Sequence, residues 1–553
     1  MKSTGFERGS MGKRTYVPFL LFGGVLILLV GIYSLGTLKP RITSIDPKIG
    51  QSGQTLTIEG WGFGKDRVRI SIGSITPTSS AYEEWTPKRI RVKIPEEVSS
   101  GLVYVYNKNG RSNPVLFTNR QDIPVLAQEE KVLGFPEITS IDREQGRVGD
   151  LITITGRNFG ANRGNGIVYF SWAGSSSTTG SSDMRGVYLP ASEVDMDYEG
   201  WSDTEIRVRV PTGAGTGNLF VLCEKGKSNA VYFEVDGSSG SYLFKEKRTY
   251  TVRSSMNIHS VAGGENGGLY LWIPRVQEGP NQRDVQMIEQ EPKAEIENYN
   301  GLLLVFLRNL VPNRTYTVSQ TFLLDRYEIE TKLNPQKIKL EYDKGRDLYK
   351  VYTAENSVTP VTHPEITKTV SGIVGKEKNP YLKALKIYSF LVEKLKYDST
   401  QRHRSVVEGL SERGGNAYTF ALLFVSLARN TGVPARTIAG YLITDTKAAI
   451  PHFWCEIYLE GVGWIEVDPA LGTAPLLEGF RLAPDPKSYY FGNMDNRRVA
   501  FSRGLVQAKR ISPHGRTMEQ PEIHSLQTIY AEAVGDIRSF SGTWNTLEVI
   551  GVY

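Results

Sequence analysis

Three hydrophobic patterns succeed one another along the chain. From Tyr16 to Leu38 there is no charged residue, and at about 1.5 Å rise per residue a helix of that length can cross a hydrocarbon layer of about 30 Å. From residue 40 to residue 235 apolar and polar positions alternate in short runs, as in Ile90, Val92, Ile94 and again in Ile206, Val208, Val210. Gly and Pro clusters interrupt these runs about every ten residues, the rhythm of an antiparallel β-sandwich. A helical period appears later: Leu382, Leu385, Tyr388, Val392 and Leu395 follow Asn379-Pro380 at three- and four-residue spacing, which predicts a helix burying that face.

The alternating region is a duplication. Pro40-Arg-Ile-Thr-Ser-Ile-Asp46 recurs as Pro136-Glu-Ile-Thr-Ser-Ile-Asp142, an offset of 96 that also carries Gly50, Gly53, Leu56, Ile58, Gly60, Phe63 and Gly64 onto Gly146, Gly149, Ile152, Ile154, Gly156, Phe159 and Gly160. Farther on the offset is 116, with Trp85 to Pro95 answering Trp201 to Pro211 and Ser112-Asn113 answering Ser228-Asn229. The second copy therefore holds about twenty extra residues around the Gly/Ser-rich stretch Gly174 to Ser182, expected as a surface loop. The pattern Pro-x-Ile-x-Ser-Ile-x-Pro, Gly-x-x-Gly, Gly-x-x-Phe-Gly resembles the IPT/TIG family of immunoglobulin-like modules over 40–118 and 136–235; Arg143 replaces the proline in the second copy. That resemblance implies a fold and a spacer or adhesion role, not chemistry.

Asp236-Gly-Ser-Ser-Gly-Ser241 reads as a flexible linker. Beyond it Gly268 to Pro274, Leu302 to Leu307 and Tyr316 to Phe322 read as strands, and Gly414 to Arg429, apolar nearly all round, as a buried helix starting near Asn416 or Ala417 behind a glycine turn. Strands from Thr437 to Ile443, His452 to Tyr458 and Trp464 to Asp468 follow, the last two around Gly461-Val-Gly463. A hairpin centred near Glu460 would set His452 opposite Asp468, with Cβ atoms about 4.5–5.5 Å apart. A hydrogen bond there fixes the imidazole tautomer, as a catalytic triad requires.

The order Gly-x-Cys-x-x-Phe/Tyr-Ala, Gly-Val-Pro-Ala-Arg436, His452-x-Trp-x-Glu and Gly463-Trp-x-x-Val-Asp468-Pro resembles bacterial transglutaminase-like domains from about Leu269 to Gly504. The resemblance implies a papain-like site in which His452 is the general base and Asp468 orients it, while a helix N-terminus lowers the pKa of the nucleophile. Here the chain departs from the family. Aligning Phe420-Ala421 places the cysteine position at Ala417, and a methyl group can neither attack a carbonyl nor become a thiolate. Cys455 lies three positions from His452 and so on the other face of its strand. Tyr418 and Thr419 point about 100° and 200° away around the helix. Gly415, Asn416 and Trp454 remain candidates to line a substrate cleft, although Trp454 and Trp464 also suit a core.

Charge adds orientation. Lys2, Arg8, Lys13 and Arg14 precede the apolar run, offset only by Glu7, so the positive-inside rule leaves residues 1–15 in the cytoplasm and the bulk periplasmic or extracellular. A cleaved signal peptide is the alternative, but the run is long for one and no A-x-A site follows. A formal charge of +6 with intermixed signs argues against nucleic acid. Only Cys223 and Cys455 occur, so no disulfide framework is expected. No metal-ligand cluster or phosphate loop appears, and no cofactor is implied.

The sequence thus predicts a multidomain chain in a bacterial cell envelope. It comprises a transmembrane helix (16–38), two immunoglobulin-like β-sandwiches (40–118, 136–235), a mainly-β part (242–370) and an α+β papain-like transglutaminase-like core with a C-terminal extension (371–553). The expected function is that of a membrane-anchored pseudoenzyme with a protein or peptide ligand. One alternative is an active transglutaminase or cysteine peptidase whose cysteine has been replaced in this form; the other is a structural stalk or adhesin, whose His452/Asp468 pair would be closed to solvent.

Overall fold

A computed structural model describes residues 39–66, 69–73, 75–96, 98–119, 134–175, 186–263, 267–504, 508–512, 514–519 and 530–553. The expected membrane helix, 16–38, lies outside the described residues; among those described, no helix is long and apolar enough to cross a membrane. Two compact units result, 1–132 and 133–553.

The described part of the first unit is a sandwich. One sheet orders Arg41–Asp46, Thr55–Trp61, Arg89–Lys93 and Tyr82–Trp85; the other orders Ile49–Gly50, Val115–Asn119, Gly101–Asn107 and Ile70–Ile72. Leu56, Ile58, Ile90, Val92, Val103, Val105 and Phe117 fill the space between them. The second module repeats this plan down to its irregularities, since the bulge between Ile42 and Ser44 recurs between Ile138 and Ser140. The repeated Ser-Asn pair has a shared purpose. Asn113 bonds the backbone N–H and C=O of Ile42 at 2.8 and 3.0 Å, as Asn229 does for Ile138. Each strand lies at the edge of its sheet, and the asparagine satisfies backbone groups there.

Two expectations about the second module need correction. The extra residues are not only a loop: 176–185 lie outside the described residues, but Tyr188–Pro190 forms an additional edge strand beside Ile167–Ser171. Nor is Asp236 to Ser241 a flexible linker. Asp236 accepts from Arg147 Nε at 2.8 Å and from Ser238 N–H, and Gly240 already begins a long strand, Gly240–Ala262, paired along its length with Tyr316–Leu333. Ordered side-chain partners override a composition that suggests mobility.

That long strand also receives Ser539–Trp544 and Glu548–Val552, so the C-terminal end of the chain returns to the β-rich part. The α+β core sets Ala417–Asn430, buried nearly all round, against a four-stranded sheet ordered Gly463–Val467, Ala449–Leu459, Ala435–Ile443, Arg498–Arg503. Asn379 caps Pro380–Lys394 through Tyr381 N–H and Leu382 N–H. The inward stripe of that helix is Ala384, Ile387, Tyr388, Leu391 and Leu395, whereas Leu382, Leu385 and Val392 are half-buried. The expected stripe was thus rotated toward one edge of the true one, which includes the small residue Ala384.

Second module and core join through buried charge. Arg436, from the Gly-Val-Pro-Ala-Arg segment, lies 2.6 Å from Asp195 of the module and donates from Nε to Glu456 at 2.7 Å; its guanidinium covers Trp464, 3.9 Å from the ring centroid. Trp172 Nε1 donates to the Pro280 carbonyl at 3.0 Å, and the Trp464 N–H donates to Thr212 Oγ1 at 3.1 Å.

Candidate functional site

The helix Ala417–Asn430 starts where the sequence places it. Asn416 is the cap: its Oδ1 accepts from Thr419 N–H at 3.2 Å, and its Nδ2 donates to the Gln401 carbonyl at 2.9 Å and to His403 Nδ1 at 3.0 Å. Ala417 is the first helical residue and is 6 % exposed. Gly414 and Gly415 form no turn. They pair in parallel with Lys396 and Tyr397, and a side chain at Gly414 would meet the Lys396 carbonyl, one at Gly415 the Thr419 side chain. Close approach, not an unusual backbone angle, requires glycine there.

His452 and Asp468 come together, but not as directly opposed residues. The ladder pairs Cys455 with Val467 and Leu459 with Gly463, which centres the hairpin on Gly461. Asp468 has left the strand and caps Pro469–Gly472, accepting Leu471 N–H at 3.0 Å through Oδ1. Its other oxygen meets His452 Nε2 at 2.8 Å and Arg498 Nη1 at 3.0 Å. Burial opposes the Asp468 carboxylate, but the imidazole, the guanidinium and the Leu471 N–H together hold its pKa below the ordinary value. An ionised carboxylate can only accept, so Nε2 carries the proton and Nδ1 is left as the basic nitrogen.

Arg498 is the residue that sequence reasoning missed. Fully buried, it also donates from Nη2 to Asp495 at 2.7 Å and lies 4.9 Å from the Trp454 ring centroid. The three-residue spacing of Asp495 and Arg498 hints at a local pair, but nothing in the sequence points to Asp468. His403 is likewise new: its ring packs 4.4 Å from Tyr418, which in turn meets Phe453 edge-on at 5.1 Å.

Other candidates fall away. Trp454 is fully buried among Ile438, Leu442, Leu471, Tyr490 and Met494, so it belongs to the core and lines no cleft. Cys455 packs on the helix side, where its Sγ contacts the Ala421 carbonyl at 3.4 Å, and burial pushes its pKa well up. It is no substitute nucleophile. The dyad itself is closed, His452 at 1 % and Asp468 at 0 % exposure, the condition the stalk reading requires. Among the described residues, no group of three His, Cys, Asp or Glu side chains could hold a metal ion.

Comparison with known proteins bears on this site. Residues 367–469 match the transglutaminase-like superfamily, and 40–118 and 136–244 match the IPT/TIG domain. An uncharacterized protein of Haemophilus influenzae is 28% identical over 201 residues, 30% of this chain and 52% of that protein. A cyclomaltodextrin glucanotransferase of Paenibacillus macerans is 25% identical over 87 residues, 16% of this chain and 12% of its own. The chain thus spans about half of the former's length and about an eighth of the latter's. A putative cysteine protease from Cytophaga hutchinsonii aligns in structure at a TM-score of 0.38 and 18% identity, over 56% of this chain and 92% of that one.

Proposed function

Because the chain carries a transglutaminase-like domain behind two IPT/TIG domains, we propose that it is a non-catalytic protein of that fold, held at a membrane by Tyr16–Leu38. In this reading it binds an extended polypeptide or glutamine side chain near the start of Ala417–Asn430. The observation that carries this reading is Ala417 at the first helical position beneath the Asn416 cap, where acyl transfer needs a thiolate. Removing the nucleophile of a comparable triad costs on the order of a million-fold in turnover. The test is amine incorporation and peptide hydrolysis by the full chain in detergent, together with binding of a glutamine-containing peptide. Saturable binding without turnover is expected; turnover that disappears in His452→Ala would refute the proposal.

A second reading is favoured by the closed dyad. With His452 and Asp468 shielded from solvent and Arg498 sharing the carboxylate, the former catalytic pair serves as internal bracing and the domain acts as a scaffold. Absence of any peptide binding selects this reading over the first. The glucanotransferase likeness covers a stretch the length of one module and lends no activity to the whole.

A further inference from the structure

The two sandwich modules are copies in sequence but differ in what covers them. On the outer face of the second, Phe220 is fully buried: Tyr188, from the additional strand, meets it edge-on at 4.9 Å, and Lys227 Nζ lies 4.1 Å from its ring centroid. The first module has no such strand among its described residues. At the positions equivalent to Asn218, Phe220 and Leu222 it carries Leu102, Tyr104 and Tyr106, and in place of Tyr232 it carries Leu116. Leu102 and Leu116 are direct cross-strand partners, 42 % and 61 % exposed, and Ile49 on the same sheet is 47 % exposed. Alternation turns all of these away from the core that Val103, Val105 and Phe117 form.

Charge on this sheet has one sign. Its strands, Ile49–Gly50, Ile70–Ile72, Gly101–Asn107, Gly110–Arg111 and Val115–Asn119, contain no Asp or Glu. Arg69 lies 5.2 Å from the Tyr106 ring centroid and Arg111 lies 5.0 Å from that of Tyr104, with exposed Lys108 between them in sequence. The chain also enters here: the Lys39 stem passes within 3.4 Å of where a side chain on Gly110 would begin. Lys39 immediately follows Leu38, the last residue of the uncharged run, so the tether is only a few residues, each reaching at most about 3.6 Å.

We propose that this face of the first module lies on an anionic lipid headgroup surface. It rests on the reading of Tyr16–Leu38 as an anchor, which would hold the module within reach of the bilayer. Leu102, Leu116 and Ile49 enter the interfacial layer, Tyr104 and Tyr106 sit at headgroup level, and Arg69, Lys108 and Arg111 meet the phosphates. In the second module the added strand covers Phe220 on the equivalent face, Asn218 and Tyr232 there stay exposed but are not aliphatic, and the module docks on the core instead.

The test uses the full chain with Cys223→Ser and Leu116→Cys, labelled with a polarity-sensitive fluorophore and reconstituted into vesicles of phosphatidylcholine alone or mixed equally with phosphatidylglycerol. In the mixed vesicles the label is expected to shift to the blue and resist aqueous iodide. High salt or Arg69→Glu with Arg111→Glu should reverse this, each charge being worth about fivefold in surface affinity. A label introduced by Tyr232→Cys on the second module should stay aqueous throughout. If the chain floats with vesicles after alkaline carbonate while the label at position 116 is equally quenched in both lipids, the face proposal fails and the anchor stands. A chain that does not float overturns the anchor and this inference with it.

Discussion

His452 donates from Nε2 to Asp468 at 2.8 Å although the sheet register does not oppose them. Extending the ladder would set Asp468 across from Trp454, two residues from His452. A shift of two preserves the face on which a side chain stands, whereas a shift of one reverses it. Capping of Pro469–Gly472 then turns the carboxylate toward the ring. The contact survives an error in the hairpin centre because that error moved the register by an even number.

Restoring sulfur tests what the pair still does. Ala417→Cys should give a thiol alkylated by iodoacetamide near neutral pH, below the ordinary thiol pKa of about 8.5, since it stands at a capped helix start. His452→Ala should shift that alkylation pH profile upward. An ordinary, His452-independent thiol would instead support the bracing reading.

Asp468→Ala leaves Arg498 and His452 facing a void and should cost about 3–5 kcal/mol, the usual penalty for breaking a buried pair from one side. Thermal unfolding measures it. The native pKa of Asp468 is depressed, so its contribution is present above the unfolded carboxylate pKa of about 3.9 and is lost as pH falls through the native value. Asp468→Asn should therefore flatten the acid limb of stability, and an unchanged limb would contradict the assignment.

Asp197 has the opposite sign. Burial, and then the neighbouring Asp195, push its pKa up to about 8, against the pull of Ser192 N–H, Arg346 and Arg436. The native state binds a proton that the unfolded chain has released, so its stabilising share is complete below about pH 4 and lost as pH rises through about 8. Asp197→Asn should remove that slope in denaturant titrations between pH 6 and about 9. A wild type whose stability is level over this range would refute it.

Arg436→Met should loosen the joint between second module and core, because Asp195 and Glu456 must then share Arg503 alone, at 4.0 and 3.5 Å, and one buried negative charge is left unmatched. A loss of about 3–5 kcal/mol is expected, with faster proteolysis around Asp236 to Gly240. Adding Asp195→Asn should recover part of it, since Glu456 then keeps Arg503 as its partner at 3.5 Å and no buried charge is left unmatched among these residues.

Much of this was legible along the chain. The repeat and its period announced two sandwiches, Asn379-Pro380 and Asn416 announced two helix starts, and the alignment of Phe420-Ala421 exposed the missing thiol. The repeat shows when the chain is compared with itself, and the helix starts and the alanine at 417 depend on residues a few positions apart, where backbone geometry alone ties side chain to face or cap. Sequence by itself determined the modules, the helix starts and the absence of a nucleophile at 417. Only the tertiary structure decided that Arg498 shares Asp468, that the dyad is closed, that Arg436 clamps the second module and that Asp236 to Ser241 is ordered. Each of these joins groups far apart in sequence, and such contacts follow from strand register and the packing of whole domains, which no local period encodes.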